Sequence, residues 1–150
     1  MDNQTNKIQP TIIMSTIILS KTAYKKDIFD LIKDTPQKPY FEDKKHSIIL
    51  FNSSCFDILP KLPENSVDMI FADPPYFLSN GGITCYAGKM VSVNKGKWDV
   101  SKGIEENYIF TQRWLRECQR VLTINGTIWV SGTSHIIYTV GSAMQTLGYK

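Results

Sequence analysis

Cysteine and histidine are scarce in this chain, and neither is spaced for chemistry. The three cysteines, Cys55, Cys85 and Cys118, are odd in number and show no Cys-x-x-Cys spacing. That pattern excludes a disulfide framework and a zinc ribbon, and it suits free thiols of a cytoplasmic protein. His46 and His135 stand alone, which favours ordinary surface or structural roles over a metal set or a nucleophile–base pair. Long apolar runs are missing as well. Thr11 to Ser20 is apolar and β-branched, but ten residues are too few to span a bilayer, and no signal-peptide flank or cleavage pattern accompanies them. A strand, or an apolar anchor onto the body of the protein, is expected there. No single sign of charge dominates: 17 basic against 14 acidic residues give a net charge of +3, which permits contact with phosphates without requiring it. With 42% hydrophobic and 21% charged residues, the chain has the composition of a folded domain.

Elements alternate along the second two thirds of the sequence. Residues 1–45 read as an N-terminal extension. Within it, Thr22 to Lys33 places Tyr24, Ile28, Leu31 and Ile32 on one helical stripe, ended by Pro36 and Pro39. From residue 46, Ser47 to Phe51 reads as a strand, Phe56 to Leu62 as a short helix broken by Pro60 and Pro63, and Val67 to Ala72 as a buried strand. A helix of about five turns should bury Ile104, Tyr108, Leu115, Cys118 and Leu122, with Arg113, Arg116 and Arg120 on its opposite side. Asn125-Gly126 is expected to turn the chain into a strand over Thr127 to Ser131, with Trp129 in the core. A last helix, from near Ser134 to Leu147-Gly148, should bury Ile137, Val140, Met144 and Leu147. Strands separated by helices mean an α/β fold, with a doubly wound, mostly parallel sheet and flanking helices.

Asp73-Pro74-Pro75-Tyr76 carries the chemistry. It follows directly on the buried strand Val67 to Ala72, at the end of the sheet where α/β folds place their ligands. The two prolines stop the strand and stiffen the turn. The Asp73 carboxylate and the Pro74 carbonyl are acceptors suited to an exocyclic amine on a nucleobase. By accepting its hydrogens they localise the nitrogen lone pair and stabilise the positive charge that grows during alkylation. Tyr76 offers a flat face to a base flipped out of a duplex, where stacking offsets roughly 1–3 kcal/mol of the unstacking cost. The long segment Phe77 to Gly103 should close over that base. Phe77, Ser79, Asn80, Lys89, Lys95, Lys97 and Trp98 are the residues expected to face DNA, with Trp98-Asp99 as a latch.

Phe71 to Phe77, with Leu78-Ser79-Asn80-Gly81-Gly82 after it, resembles the catalytic motif of the beta group of S-adenosylmethionine-dependent DNA amino-methyltransferases. Many of these belong to type II restriction-modification systems. The resemblance runs on through Val91-Ser92-Val93, Gly96, Trp98-Asp99, Trp114-Leu115 and Asn125 to Gly132, and covers about residues 48 to 150. It implies a Rossmann-like methyltransferase sheet, S-adenosylmethionine as methyl donor, and double-stranded DNA as substrate, with a cognate restriction endonuclease as companion. Asp73, Pro74, Pro75 and Tyr76 would form the catalytic motif that holds the flipped base. Asp at its first position points to the N6 amine of adenine; cytosine N4 is the alternative, and a non-catalytic remnant or split-protein half that binds only DNA or a second polypeptide is another. Two departures from the family pattern stand out. The chain has no Phe-x-Gly-x-Gly segment for the methyl donor, and Ser54 stands where an acidic residue usually reaches the donor's adenine, which leaves the Ser54 hydroxyl as the expected cofactor-binding contact. Residues 46–150 are therefore expected to be the N-terminal part of a catalytic domain, with little activity alone.

Overall fold

A computed structural model describes residues 17–18, 28–79, 83–92 and 94–150. In chain order, Ile17–Ile18 form a short strand β1, Ile28–Ile32 helix α1, and Phe41–Asp43 and Ile48–Leu50 strands β2 and β3. Cys55–Ile58 form α2, which tightens into a 3-10 turn over Leu59–Lys61, and Val67–Ala72 form β4. Strands β5 (Ile83–Tyr86) and β6 (Lys89–Ser92) follow, then a 3-10 turn over Lys97–Asp99. The long helix α3 (Ile104–Val121), strand β7 (Leu122–Val130) and helix α4 (Ile137–Leu147) complete the described chain. Tyr24 and most of Thr11 to Ser20 lie outside the described residues.

The central sheet has the order β1-β4-β7. Strands β4 and β7 run parallel, joined through α3, while β1 lies antiparallel to β4 with Ile17 opposite Ile70. The result is an α/β architecture with one parallel pair at its centre. Alternation along the two strands sets what each face does. Ile70 and Ala72 are buried, and Ile128 and Val130 pack beside them against a core built from Leu59, Leu62, Trp114, Leu115, Cys118, Ile136, Val140 and Ala143. Burying each large aliphatic side chain there stabilises the fold by roughly 1.5–3 kcal/mol. Both long helices contribute to this one core. Trp114 belongs to it, 1% exposed, and its indole N–H has no partner among the described residues.

Arg120 binds the 3-10 turn to α3. Its guanidinium donates to the Leu59 and Leu62 carbonyls at 2.7 and 2.9 Å and pairs with Glu117 at 3.1 Å. It is thus half-buried and not on the solvated side expected for it, because the carbonyls of the buried Leu59 and Leu62 at the 3-10 turn need a donor. At the other end of the pair, Ser66 N–H donates to the Val121 carbonyl at 2.8 Å, setting the register in which β4 starts.

Four further expectations are corrected by the structure. Ser47 to Phe51 does not join the central sheet; β3 pairs antiparallel with β2 in a hairpin. The Asp43 carboxylate closes that turn by accepting from His46 N–H at 3.1 Å and meeting His46 Nδ1 at 2.7 Å. Asn125-Gly126 does not end a loop but sits inside β7. There Val67 pairs with Leu122 while Met69 pairs with Thr127, so a bulge on β7 absorbs the turn residues. Trp129 is 62% exposed, outside the core. Its position opposite Phe71 puts it on the face that carries neither α3 nor α4. Ile104 is 88% exposed, since the packed stretch of α3 starts at Tyr108. Helix α4 keeps to expectation at its end: Gly148 is left-handed at φ 78°, and its N–H and that of Tyr149 close onto Gln145 and Met144.

Candidate active site at the end of the central strand

The β4–β7 ladder decides which side chains meet. Ala72 lies opposite Val130, and Ser131 N–H extends the ladder by donating to the Ala72 carbonyl at 2.9 Å. Asp73 and Ser131 therefore emerge side by side at the carboxyl ends of two parallel strands, where α/β sheets bind ligands. Pro74 and Pro75 are buried, which fixes the turn between an exposed Asp73 and a half-buried Tyr76. The Tyr76 hydroxyl returns three residues to donate to Asp73 Oδ1 at 2.6 Å. The Ser131 hydroxyl donates to the same oxygen and lies 3.3 Å from the Tyr76 hydroxyl. Among the described residues no donor reaches Asp73 Oδ2.

These contacts set the ionisation of the pair. The Ser131 and then the Tyr76 hydroxyl hold the Asp73 carboxyl below its ordinary value, against a small opposing effect of burial, and the Lys95 charge works in the same direction. The same carboxylate, as acceptor, holds the Tyr76 phenol above its usual value. An ionised acceptor and a neutral phenol are what an amine-binding site requires near neutral pH.

The peptide after Tyr76 is clamped from below by Asp99. Its side chain is fully buried. Oδ1 accepts from Tyr76 N–H at 2.9 Å and Phe77 N–H at 2.8 Å; Oδ2 accepts from Leu78 N–H at 3.2 Å and the Ser79 hydroxyl at 2.7 Å. Three successive backbone N–H groups thus form a nest around a carboxylate of the chain itself. Phe77 is left-handed at φ 55°, a conformation that costs a bulky residue of order 1–3 kcal/mol and that the nest holds in place. Its ring packs edge-on against Phe110, 5.7 Å between centroids, and Phe110 packs likewise on Phe56.

The residues expected to face DNA divide accordingly. The Phe77 ring turns into the core and the Ser79 hydroxyl into the Asp99 clamp, so neither points outward. Lys89, Lys95 and Lys97 are exposed. Lys95 is tied by its N–H to Ser79 Oγ at 2.8 Å, and its ammonium lies 5.0 Å from the centre of the Tyr76 ring. A base stacking on Tyr76 must take the other face of the ring or displace that ammonium. Trp98 is half-buried with its indole on Gly96, where an added Cβ would lie 3.0 Å from Trp98 Nε1. Asn80 lies outside the described residues. The segment expected as plain loop contains the hairpin β5–β6, whose turn residues Ala87 and Gly88 are both left-handed, at φ 50° and 79°. That is the conformation of a two-residue type I′ turn.

Ser54 caps α2, its hydroxyl accepting from Phe56 N–H at 3.3 Å. Sequence reasoning missed Ser131 as a site residue and saw Asp99 only as a latch for the loop. Ser131 was signalled by its place as the first residue beyond the strand that follows the motif-bearing one. No comparable signal marks a buried carboxylate 20 or more residues from the peptide it holds.

Comparison with known proteins identifies the family. A family profile described as DNA methylase, of the N6/N4 methyltransferase type, matches residues 67–150. The type II methyltransferase M2.LlaDCHI of Lactococcus lactis subsp. cremoris is 51% identical over 113 residues, and M2.DpnII of Streptococcus pneumoniae is 50% identical over the same length. M2.MboI of Moraxella bovis is 43% identical over 113 residues. Each match covers 75% of this chain and 41% of the relative, so the chain spans well under half the length of these proteins. The profile begins at the first residue of β4 and takes in the whole motif-bearing end of the sheet; the chain belongs to the DNA methylase family.

Proposed function

We propose that this chain forms the base-holding part of a site-specific DNA methyltransferase, which moves a methyl group from S-adenosylmethionine to the N6 amine of adenine in a short DNA site. The observation that carries the reading is Asp73 Oδ2, which no donor reaches among the described residues, beside Pro74 on a turn fixed by buried prolines, the Asp99 clamp and Ser131. An adenine flipped from the duplex lays its ring on Tyr76. Its amine donates one hydrogen to Asp73 Oδ2 and the other to the Pro74 carbonyl. Both bonds withdraw the nitrogen lone pair from the ring and aim it away from the protein acceptors, towards the incoming methyl group. As the methyl–sulfur bond breaks and S-adenosylhomocysteine leaves, the positive charge on N6 would be held against an ionised carboxylate until N6 loses one proton to solvent, and positioning supplies much of the acceleration. Asp at the first motif position favours adenine over cytosine N4.

The described residues do not by themselves fit the methyl donor. They contain no glycine-rich strand-to-helix turn, and the Ser54 hydroxyl is engaged in capping α2. We assign the donor site to protein outside this chain, in keeping with relatives more than twice as long as the match. Residues 1–45 are proposed as an extension that lends β1 to the central sheet and β2 to the β2–β3 hairpin of a doubly wound catalytic part starting near residue 46. No helix among the described residues is long and apolar enough to cross a membrane. A cytoplasmic setting, with a cognate restriction endonuclease acting on the same DNA, completes the proposal.

The test is methyl transfer from radiolabelled S-adenosylmethionine to DNA, followed by nucleoside analysis. The intact methyltransferase should yield N6-methyladenine, Asp73→Ala should abolish it with the fold retained, and the 150-residue chain alone should show little activity. Label in N4-methylcytosine, or undiminished transfer by D73A, would overturn the assignment.

A further inference from the structure

The two hydroxyls at the motif converge on one oxygen of Asp73, and among the described residues no donor reaches the other. Each hydroxyl has a single hydrogen. With both donated to Oδ1, none remains for the 3.3 Å Tyr76–Ser131 contact, so the arrangement is two donors on one acceptor. The two anchors differ in what they fix. Tyr76 belongs to the same turn as Asp73, so alone it would let carboxylate and phenol move together. Ser131 comes from the end of β7, and its own backbone is pinned by the 2.9 Å bond to Ala72. It ties Oδ1 to the sheet.

We propose that Ser131 is a positioning residue for Asp73: by holding Oδ1 on the sheet frame, it orients the carboxylate so that Oδ2 alone meets the substrate amine. This rests on the reading of Asp73 as the acceptor of that amine. The consequence is a division of labour within one carboxylate. Oδ1 is structural, Oδ2 faces the base, and the turn needs no reorganisation when the amine arrives. Two donors on Oδ1 also stabilise the ionised form, in line with the lowered carboxyl pKa, to which Ser131 contributes most.

The experiment is a carbon-13 NMR titration of the aspartate carboxyls in the folded chain, with Asp73→Asn identifying the Asp73 signal. In the wild type its midpoint should lie below the ordinary aspartate value of about 3.9. Ser131→Ala should move it up towards that value, and Ser131→Thr, which keeps the hydroxyl, should leave it near the wild-type position. A purely structural role for Ser131 would lower thermal stability in S131A without moving the Asp73 midpoint in molecules that remain folded. An unmoved midpoint in S131A, or an equal shift in S131T, overturns the proposal. Should S131A fail to fold, Ser131→Cys, a weak donor of similar shape, must shift the midpoint upward; no shift overturns the proposal equally. The titration does not depend on turnover. An intact methyltransferase without methyl transfer would sink the functional reading while leaving the Ser131–Asp73 coupling to stand or fall on its own result.

Discussion

Asp99 and Asp73 are both aspartates within one site, yet their surroundings assign them opposite tasks. Asp73 is exposed and, among the described residues, keeps one oxygen unpaired, whereas Asp99 is fully buried and uses both oxygens on four donors. The difference makes Asp99→Asn an informative substitution, because it preserves shape. An amide presents one acceptor and one donor group, so its NH2 must face two donors that previously shared a carboxylate oxygen. Leaving buried donors unsatisfied costs about 1–3 kcal/mol each. D99N should therefore lower the thermal midpoint, measured by circular dichroism, and should speed hydrogen exchange at Tyr76, Phe77 and Leu78 ahead of β4. Uniform exchange across the core would mean that the clamp is not local. The tetrapeptide itself was legible in the sequence, since two prolines directly after an apolar strand hold an acidic and an aromatic side chain on a stiff turn. What escaped was the direction of its neighbours. Phe77 and Ser79 were expected to face DNA, and the nest around Asp99 turns one into the core and the other into the clamp.

At the level of elements, β7 separates what local chemistry specifies from what pairing specifies. Asn125-Gly126 has the composition of a turn, and locally it does perturb the backbone, but β4 continues to pair on both sides of it. Tertiary pairing converts a turn signal into a bulge. Gly126 is needed there for space: an added Cβ would lie 2.9 Å from Leu122 Cδ2 and 3.0 Å from the Thr123 carbonyl oxygen. The second contact is with backbone, which cannot rotate away. Gly126→Ala should destabilise the fold by about 1–3 kcal/mol, as overpacking does; equilibrium urea unfolding would check this, and a change below about 0.3 kcal/mol would contradict the bulge geometry. The helices were easier to read. Both α3 and α4 carry their apolar stripes close to the expected positions, because helical periodicity over many residues averages out single exceptions such as Ile104. Short strands offer no such averaging, which is why β3 was read into the wrong sheet.

For the whole molecule, the main asymmetry is between the two faces of the sheet. One face carries α3 and α4. On the other, Phe71 and Trp129 stand in register, 43% and 62% exposed. Parallel strands are normally covered on both sides, and α/β alternation alone led to an expectation of two covered faces. Periodicity identifies which residues share a face but not whether the chain supplies something to cover it. Trp129 gives a direct measure. Iodide should quench its fluorescence readily while leaving Trp114 emission intact, and Trp129→Phe should remove most of the quenchable signal; resistance to quenching would mean that the face is covered in solution.

The Asp99 clamp has one more effect. It fastens the peptide at 76–79 to the peptide at 99, so the residues between them are closed into a ring at its neck. Changing the contour length of such a ring alters its closure entropy only logarithmically. The β5–β6 hairpin is thus a graft point: it can be lengthened, shortened or exchanged while Asp73 to Tyr76 stay where they are.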